Sequence, residues 1–161
     1  APAAGGVGTT TVGGVAYTLQ IAHESGLEIG GGIETIDNGT AASAASDEEN
    51  STVYAKFSAG GISVGMQEAY QNSANSAEDN RATFWGVAYT AGDMSVSYGE
   101  STLENAGIST TASVERELES IQATYTMGAM TLGAAIAETS NSGGIAGQTY
   151  EETELSVSFA F

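Results

Sequence analysis

Apolar side chains recur along this chain at every second residue. In "GVAYTLQIAH" they are Val15, Tyr17, Leu19 and Ile21. In "AGGISVGMQEAY" they are Ile62, Val64 and Met66, where a helix would space them by three and four. The same rhythm sets Leu27, Ile29 and Ile33, then Val53, Ala55, Phe57 and Ala59, then Trp85, Val87 and Tyr89. It continues through Met94, Val96 and Tyr98, through Ile121, Ala123, Tyr125 and Met127, and through Met130, Leu132, Ala134 and Ile136. It finishes on Leu155, Val157, Phe159 and Phe161. Nine strands are predicted, each extensible to the roughly 9–11 residues that a tilted strand needs to cross a bilayer. The single proline fits a chain that is mostly paired strand, because proline cannot donate to a ladder.

The connections alternate in length. Short ones fall at Ser25-Gly26, Gly60-Gly61, Gly92-Asp93 and Gly128-Ala129. Long ones are "DNGTAASAASDEEN", "QNSANSAEDN", "STLENAGISTTAS" and "TSNSGGIAGQ". A meander with all its long loops at one end is the pattern of a transmembrane barrel, and a soluble sheet has no need of it. An internal repeat marks three of the short turns. "FSAGGISV" (57–64), "YTAGDMSV" (89–96) and "YTMGAMTL" (125–132) align without gaps, and each reads as a hairpin with glycine at a positive-φ turn position.

Composition narrows the function. The 161 residues suit one domain, with a Gly-rich segment at 1–12 and strands over 13–161. Twenty acidic residues against Lys56, Arg81 and Arg116 give a net charge of -17. That balance excludes a nucleic-acid partner held through phosphates, and it disfavours a basic helix lying on anionic lipid. With 41% hydrophobic residues in periodic segments, disorder does not account for the pattern. There is no cysteine, hence no disulfide or thiolate chemistry. The opening "APAAGGVGTTTVGG" has neither the basic region nor the apolar core of a signal peptide.

Alternation alone fits either a sandwich core or a lipid-facing barrel wall. Three features favour the barrel: few large residues per strand, aromatics near strand ends, and long regular strands without edge-protecting Lys or Pro. The expected fold is therefore all-β, a transmembrane antiparallel β-barrel. Tyr17, Phe57, Tyr70, Trp85, Tyr89, Tyr125 and Phe161 are the expected membrane-interface aromatics. The opposite parity supplies the expected pore lining: Gln20, Glu28, Glu34, Lys56, Gln67, Gln122 and Thr124. Acidic walls concentrate cations, so a weak cation preference is expected.

The ending "TYEETELSVSFAF" resembles the last strand of Gram-negative outer-membrane general porins, with Leu155, Val157, Phe159 and Phe161 at the matching alternate positions. The "YTAGDMSV"-type hairpins resemble periplasmic turns of the α-proteobacterial members. The resemblance covers about residues 13–161. It implies a water-filled channel for small hydrophilic solutes, and a C-terminal signal read by the barrel-assembly machinery. It also implies a periplasmic C-terminus, a homotrimer, and contact with the lipid bilayer and lipopolysaccharide. Porins of this kind have sixteen strands. Nine strands therefore point to the C-terminal part of a larger barrel, in which the family's constriction loop lies outside this sequence. The other reading is a complete small barrel with an extra strand in "GGVGTTTVGG".

No enzymatic constellation stands out. His23 is the lone histidine and sits beside a short turn, and no nucleophile elbow is present. No cofactor is expected beyond weak Ca or Mg binding at acidic extracellular loops, with Asp47, Glu48 and Glu49 as the candidate ligands. Glu115, Glu117 and Glu119 share a parity with Ile121 and Tyr125 and are expected to face outward, above the membrane belt or at a neighbouring subunit. Two other classes remain open: an outer-membrane barrel serving as adhesin, autotransporter-type anchor or phage receptor, and a soluble acidic β-sandwich at the cell surface.

Overall fold

The computed structural model describes residues 13–37, 47–72, 79–106 and 114–160. Nine strands follow one another in a single sheet, each hydrogen-bonded to the next. They are β1 (Gly13–Ala22), β2 (Leu27–Asp37), β3 (Glu48–Ala59), β4 (Ile62–Asn72) and β5 (Asp79–Ala91), then β6 (Met94–Ala106), β7 (Arg116–Met127), β8 (Met130–Ser140) and β9 (Tyr150–Phe159). Every neighbouring pair is antiparallel. Among the described residues β1 and β9 are the two free edges, and the sheet is not closed.

The sequence-predicted strands are all present, but several run further than the alternation shows. Glu48–Asn50 belong to β3, Asp79 and Asn80 to β5, and Ser101–Ala106 to β6, all inside stretches expected to be loop. These segments are mostly polar on both parities, with Leu103 the one large apolar residue, so no regular alternation marks them. Backbone ladder bonds extend the strands regardless.

The short turns follow the expected chemistry. Gly60, Gly92 and Gly128, at equivalent positions of the repeat, have φ of 59, 57 and 61°. Only a residue without Cβ takes that conformation at little cost. The first turn is closed by His23. Its Nδ1 accepts from the Ser25 backbone N–H at 3.1 Å and lies 2.9 Å from Ser25 Oγ. The lone histidine is thus a turn residue.

Successive hairpins are stitched along this rim. Ser58 N donates to Gly26 O at 3.0 Å and Thr90 N to Gly61 O at 2.8 Å. Thr126 N donates to Asp93 O at 2.9 Å, and Ala160 N to Ala129 O at 2.8 Å. The register shifts by two residues at each step. Leu27 pairs with Phe57, Ile62 with Tyr89, Met94 with Tyr125, and Met130 with Phe159. A two-residue advance (~6.6 Å) over two strand spacings (~9.6 Å) corresponds to a strand tilt of about 35°, within the range of closed barrels.

The sheet has no core. Among the described residues no side chain, apolar or polar, is fully buried. Leu155 is 81% exposed, Tyr17 70% and Leu19 68%. A β-sandwich needs a second sheet packed about 10 Å from the first to cover such a face. The described residues form one layer only.

Candidate functional site: the two faces of the sheet

Residues opposite one another in an antiparallel pair point to the same side, so the register sorts every side chain between two faces. One face collects Tyr17, Ile33, Val53, Phe57, Val64 and Met66. It continues through Trp85, Val87, Tyr98, Ile121, Tyr125, Leu132, Leu155 and Val157. The sequence-predicted interface aromatics Tyr17, Phe57, Tyr70, Trp85, Tyr89 and Tyr125 all lie here. Trp85 and Tyr98 pack tilted at 57° with centroids 5.3 Å apart. Phe161 lies outside the described residues. Ala160 occupies the same rim position as Ser58, Thr90 and Thr126.

Toward the long-connection end this face becomes charged. Arg81 bonds Glu68 through Nε and Nη2, each at 3.1 Å, and reaches Glu104 at 4.0 Å. It also lies 6.0 Å from the centre of the Tyr70 ring. Beside this network Glu100, Glu119, Glu138 and Glu151 stand directly opposite one another across β6, β7, β8 and β9. Glu117 and Glu119 thus share the face of Ile121, as their parity requires. Four carboxylates in register repel one another, and nothing apolar tolerates them, so the row bounds the greasy belt. Below it the belt is about 16–22 Å tall, given the tilt and ~3.3 Å per residue.

The other face carries the sequence-predicted pore residues Gln20, Glu28, Glu34, Lys56, Gln67, Gln122 and Thr124. The structure joins three of them to a fourth that parity reading passed over. Glu28 Oε1 accepts from Gln20 Nε2 and from the Tyr54 hydroxyl, each at 3.0 Å, while Oε2 pairs with Lys56 Nζ at 3.1 Å. Tyr54 lies over Gly30, where a Cβ would fall 2.7 Å from the ring. Higher on the same face Gln71 donates to Glu48 at 3.2 Å, Asn80 to Gln71 at 3.2 Å, and Gln67 to Thr52 at 3.0 Å. A concavity of about 640 Å³ opens there beside Glu34, Asn50 and Gln71. Gln122 and Thr124 line a smaller one of about 180 Å³ with Glu154.

Glu154, Glu152, Glu48 and Tyr54 are additions to the sequence-predicted set. Carrying the parity a few residues further would have found Glu48 and Glu152; Glu154 and Tyr54 lie within or beside stretches already read, and Tyr54, an aromatic on the polar parity, gave no signal there. Phe84, Leu103 and Leu118 are also on this face, against the rule that it is polar. Of the candidate metal ligands, Glu48 and Glu49 point to opposite faces and Asp47 precedes the strand. Among the described residues no group of three or more His, Asp or Glu side chains is placed to hold a metal ion.

A one-layer sheet with a continuous apolar face, a polar reverse face and barrel-like stagger is the wall of a membrane β-barrel, with lipid in place of a core. Residues 3–161 match the family model described as Gram-negative porin, and the chain belongs to that family. It is accordingly a porin-type channel protein of the bacterial outer membrane; the family is one of channels and not of enzymes. No curated protein and no solved structure gives a significant match.

Proposed function

We propose that the polar face lines a water-filled pore through which small hydrophilic solutes and ions diffuse passively, with a weak preference for cations. The observation that carries this is the charge of that face. Glu28, Glu34, Glu48, Glu152 and Glu154 share it with only Lys56 and Arg116. In a narrow aqueous channel such a wall raises local cation concentration and repels anions. The test is the reversal potential in planar bilayers under a KCl gradient. It should carry the sign of potassium permeation, and a chloride-selective potential would sink the reading.

The wall belongs to a barrel of more than nine strands. β1 and β9 run the same way, so they cannot close on each other as an antiparallel pair. The short-turn rim faces the periplasm and the long connections face outward. Supporting this, the end of β9 reaches the level of the short turns. In that orientation the glutamate row meets the lipopolysaccharide layer. Weak Ca or Mg binding at the acid-rich outer ends bridges to its phosphates through carboxylates of the outward face, Glu49 among them, and not through Glu48, which points to the other face. Recognition of β9 by the barrel-assembly machinery during biogenesis, and assembly of the folded chain as a homotrimer, complete the proposal. Cross-linking in native membranes would test the oligomer.

A further inference from the structure

The concavity of about 640 Å³ on the polar face runs along one register row. Glu34, Asn50, Gln71 and Asn80 stand directly opposite one another in that row, across β2, β3, β4 and β5. All four border the concavity. The amides are aligned by their own bonds. Asn80 Nδ2 donates to Gln71 Oε1 at 3.2 Å, Gln71 Nε2 to Glu48 Oε1 at 3.2 Å, and Asn50 Nδ2 to the same carboxylate oxygen at 3.5 Å. The row is therefore a fixed polar track along one side of a hollow.

Glu34 has no part in that network. It is exposed, and among the described residues it makes no hydrogen bond and no ion pair. Directly opposite, Asn50 bonds through its amide N–H, and its carbonyl oxygen accepts nothing among the described residues. Cross-strand partners have Cβ atoms about 4.5–5.5 Å apart, so the carboxylate and the amide carbonyl can converge on one donor group. No basic side chain borders the concavity. Lys56 is held by Glu28 further along β3, Arg81 points to the other face, and Arg116 lies away on β7. Glu34 and Glu48 thus leave this stretch of wall net negative, in contrast to the Glu28 patch, where Lys56 cancels the carboxylate.

Resting on the reading that this face lines the pore, we propose that the concavity is a docking site for a solute carrying a primary ammonium on a hydroxylated body, an amino sugar being the simplest case. The ammonium brings three donors and sits between the Glu34 carboxylate and the Asn50 carbonyl. The body lies along the amide row, where Gln71 keeps a second N–H and a second carbonyl lone pair for hydroxyl groups. The volume falls within the roughly 300–1,000 Å³ of small-molecule sites. Charge complementarity selects this occupant over a neutral sugar, and the amide row selects it over a bare ammonium ion.

The test uses the intact protein in planar bilayers at about pH 6, where the amine of glucosamine is protonated. Glucosamine, glucose and methylammonium are the probes of potassium chloride current. Glucosamine should reduce the wild-type current at lower concentration than either of the others. Glu34→Gln should raise its half-blocking concentration by at least about threefold, the scale of one solvent-exposed charge contact. Glu154→Gln removes the same charge from the same face outside the concavity, and should leave that concentration as in wild type. Gln71→Leu should weaken the glucosamine block while leaving the methylammonium response unchanged. Folding is verified by heat-modifiable gel migration, and Glu34→Ala replaces Glu34→Gln if the latter does not fold. The docking site is wrong if wild type conducts but glucosamine blocks no better than the other two probes. It is equally wrong if the folded Glu34 and Gln71 variants keep the wild-type response, or if Glu154→Gln weakens the block as much as Glu34→Gln does. If wild type does not conduct at all, the pore reading fails, and this proposal with it.

Discussion

Glu28 shows what a single residue contributes on the polar face. It gathers an amide, a phenol and an ammonium, and its partnership with Lys56 makes that patch of wall nearly neutral. Replacing it as Glu28→Gln leaves Lys56 uncompensated, so the reversal potential should move toward chloride. Lys56→Gln should move it toward potassium. Equal and same-sign shifts in the two variants would mean that neither charge faces the pore. Gln20, Glu28 and Lys56 were legible from parity, because each interrupts an apolar rhythm with a polar group. Tyr54 was not, since an aromatic residue on the polar parity reads as noise until the register sets it above Gly30. The same blindness covers Phe84, an aromatic on the polar parity that the register sets between Gln67 and Ser101.

The hairpin is the repeating element, and its turns were the most legible part of the sequence. Glycine at a fixed offset from an alternating run has few other uses. The two kinds of turn glycine should nonetheless respond differently. Gly92 has a positive φ but open space around it, so Gly92→Ala carries only the backbone penalty, about 1–2 kcal/mol. At Gly61 an added Cβ would also collide with the Thr90 carbonyl, at the stitch to the next hairpin. Gly61→Ala should therefore lower the heat-modifiability midpoint more than Gly92→Ala does; the reverse order would refute the stitched rim. Strand length was the illegible part. Glu48–Asn50 and Asp79–Arg81 are polar on both sides, and where a strand leaves the bilayer neither face needs to be apolar.

At the scale of the whole molecule, one layer of sheet is stable only if something other than protein covers its apolar side. The sequence carried this in its thin, regular alternation. It did not reveal the glutamate row, because in-register carboxylates become neighbours only once four strands are aligned. Glu119 faces Glu100 on one side and Glu138 on the other. Glu119→Gln should raise thermal stability in detergent by roughly 0.2–1 kcal/mol at low salt, with the gain fading as salt screens the row. A loss of stability would show that the row is held by a partner that needs the charge.

The central claim is that one parity meets lipid and the other meets water, and the absence of cysteine makes it directly measurable. Single cysteines placed along β8 at Leu132, Gly133, Ala134, Ala135, Ile136 and Ala137 can be treated with a membrane-impermeant thiol reagent in intact outer membranes. Positions 133, 135 and 137 should label, while 132, 134 and 136 should stay protected and respond instead to quenchers in the lipid chains. Uniform labelling, or alternation of the opposite phase, would contradict the assignment of the two faces.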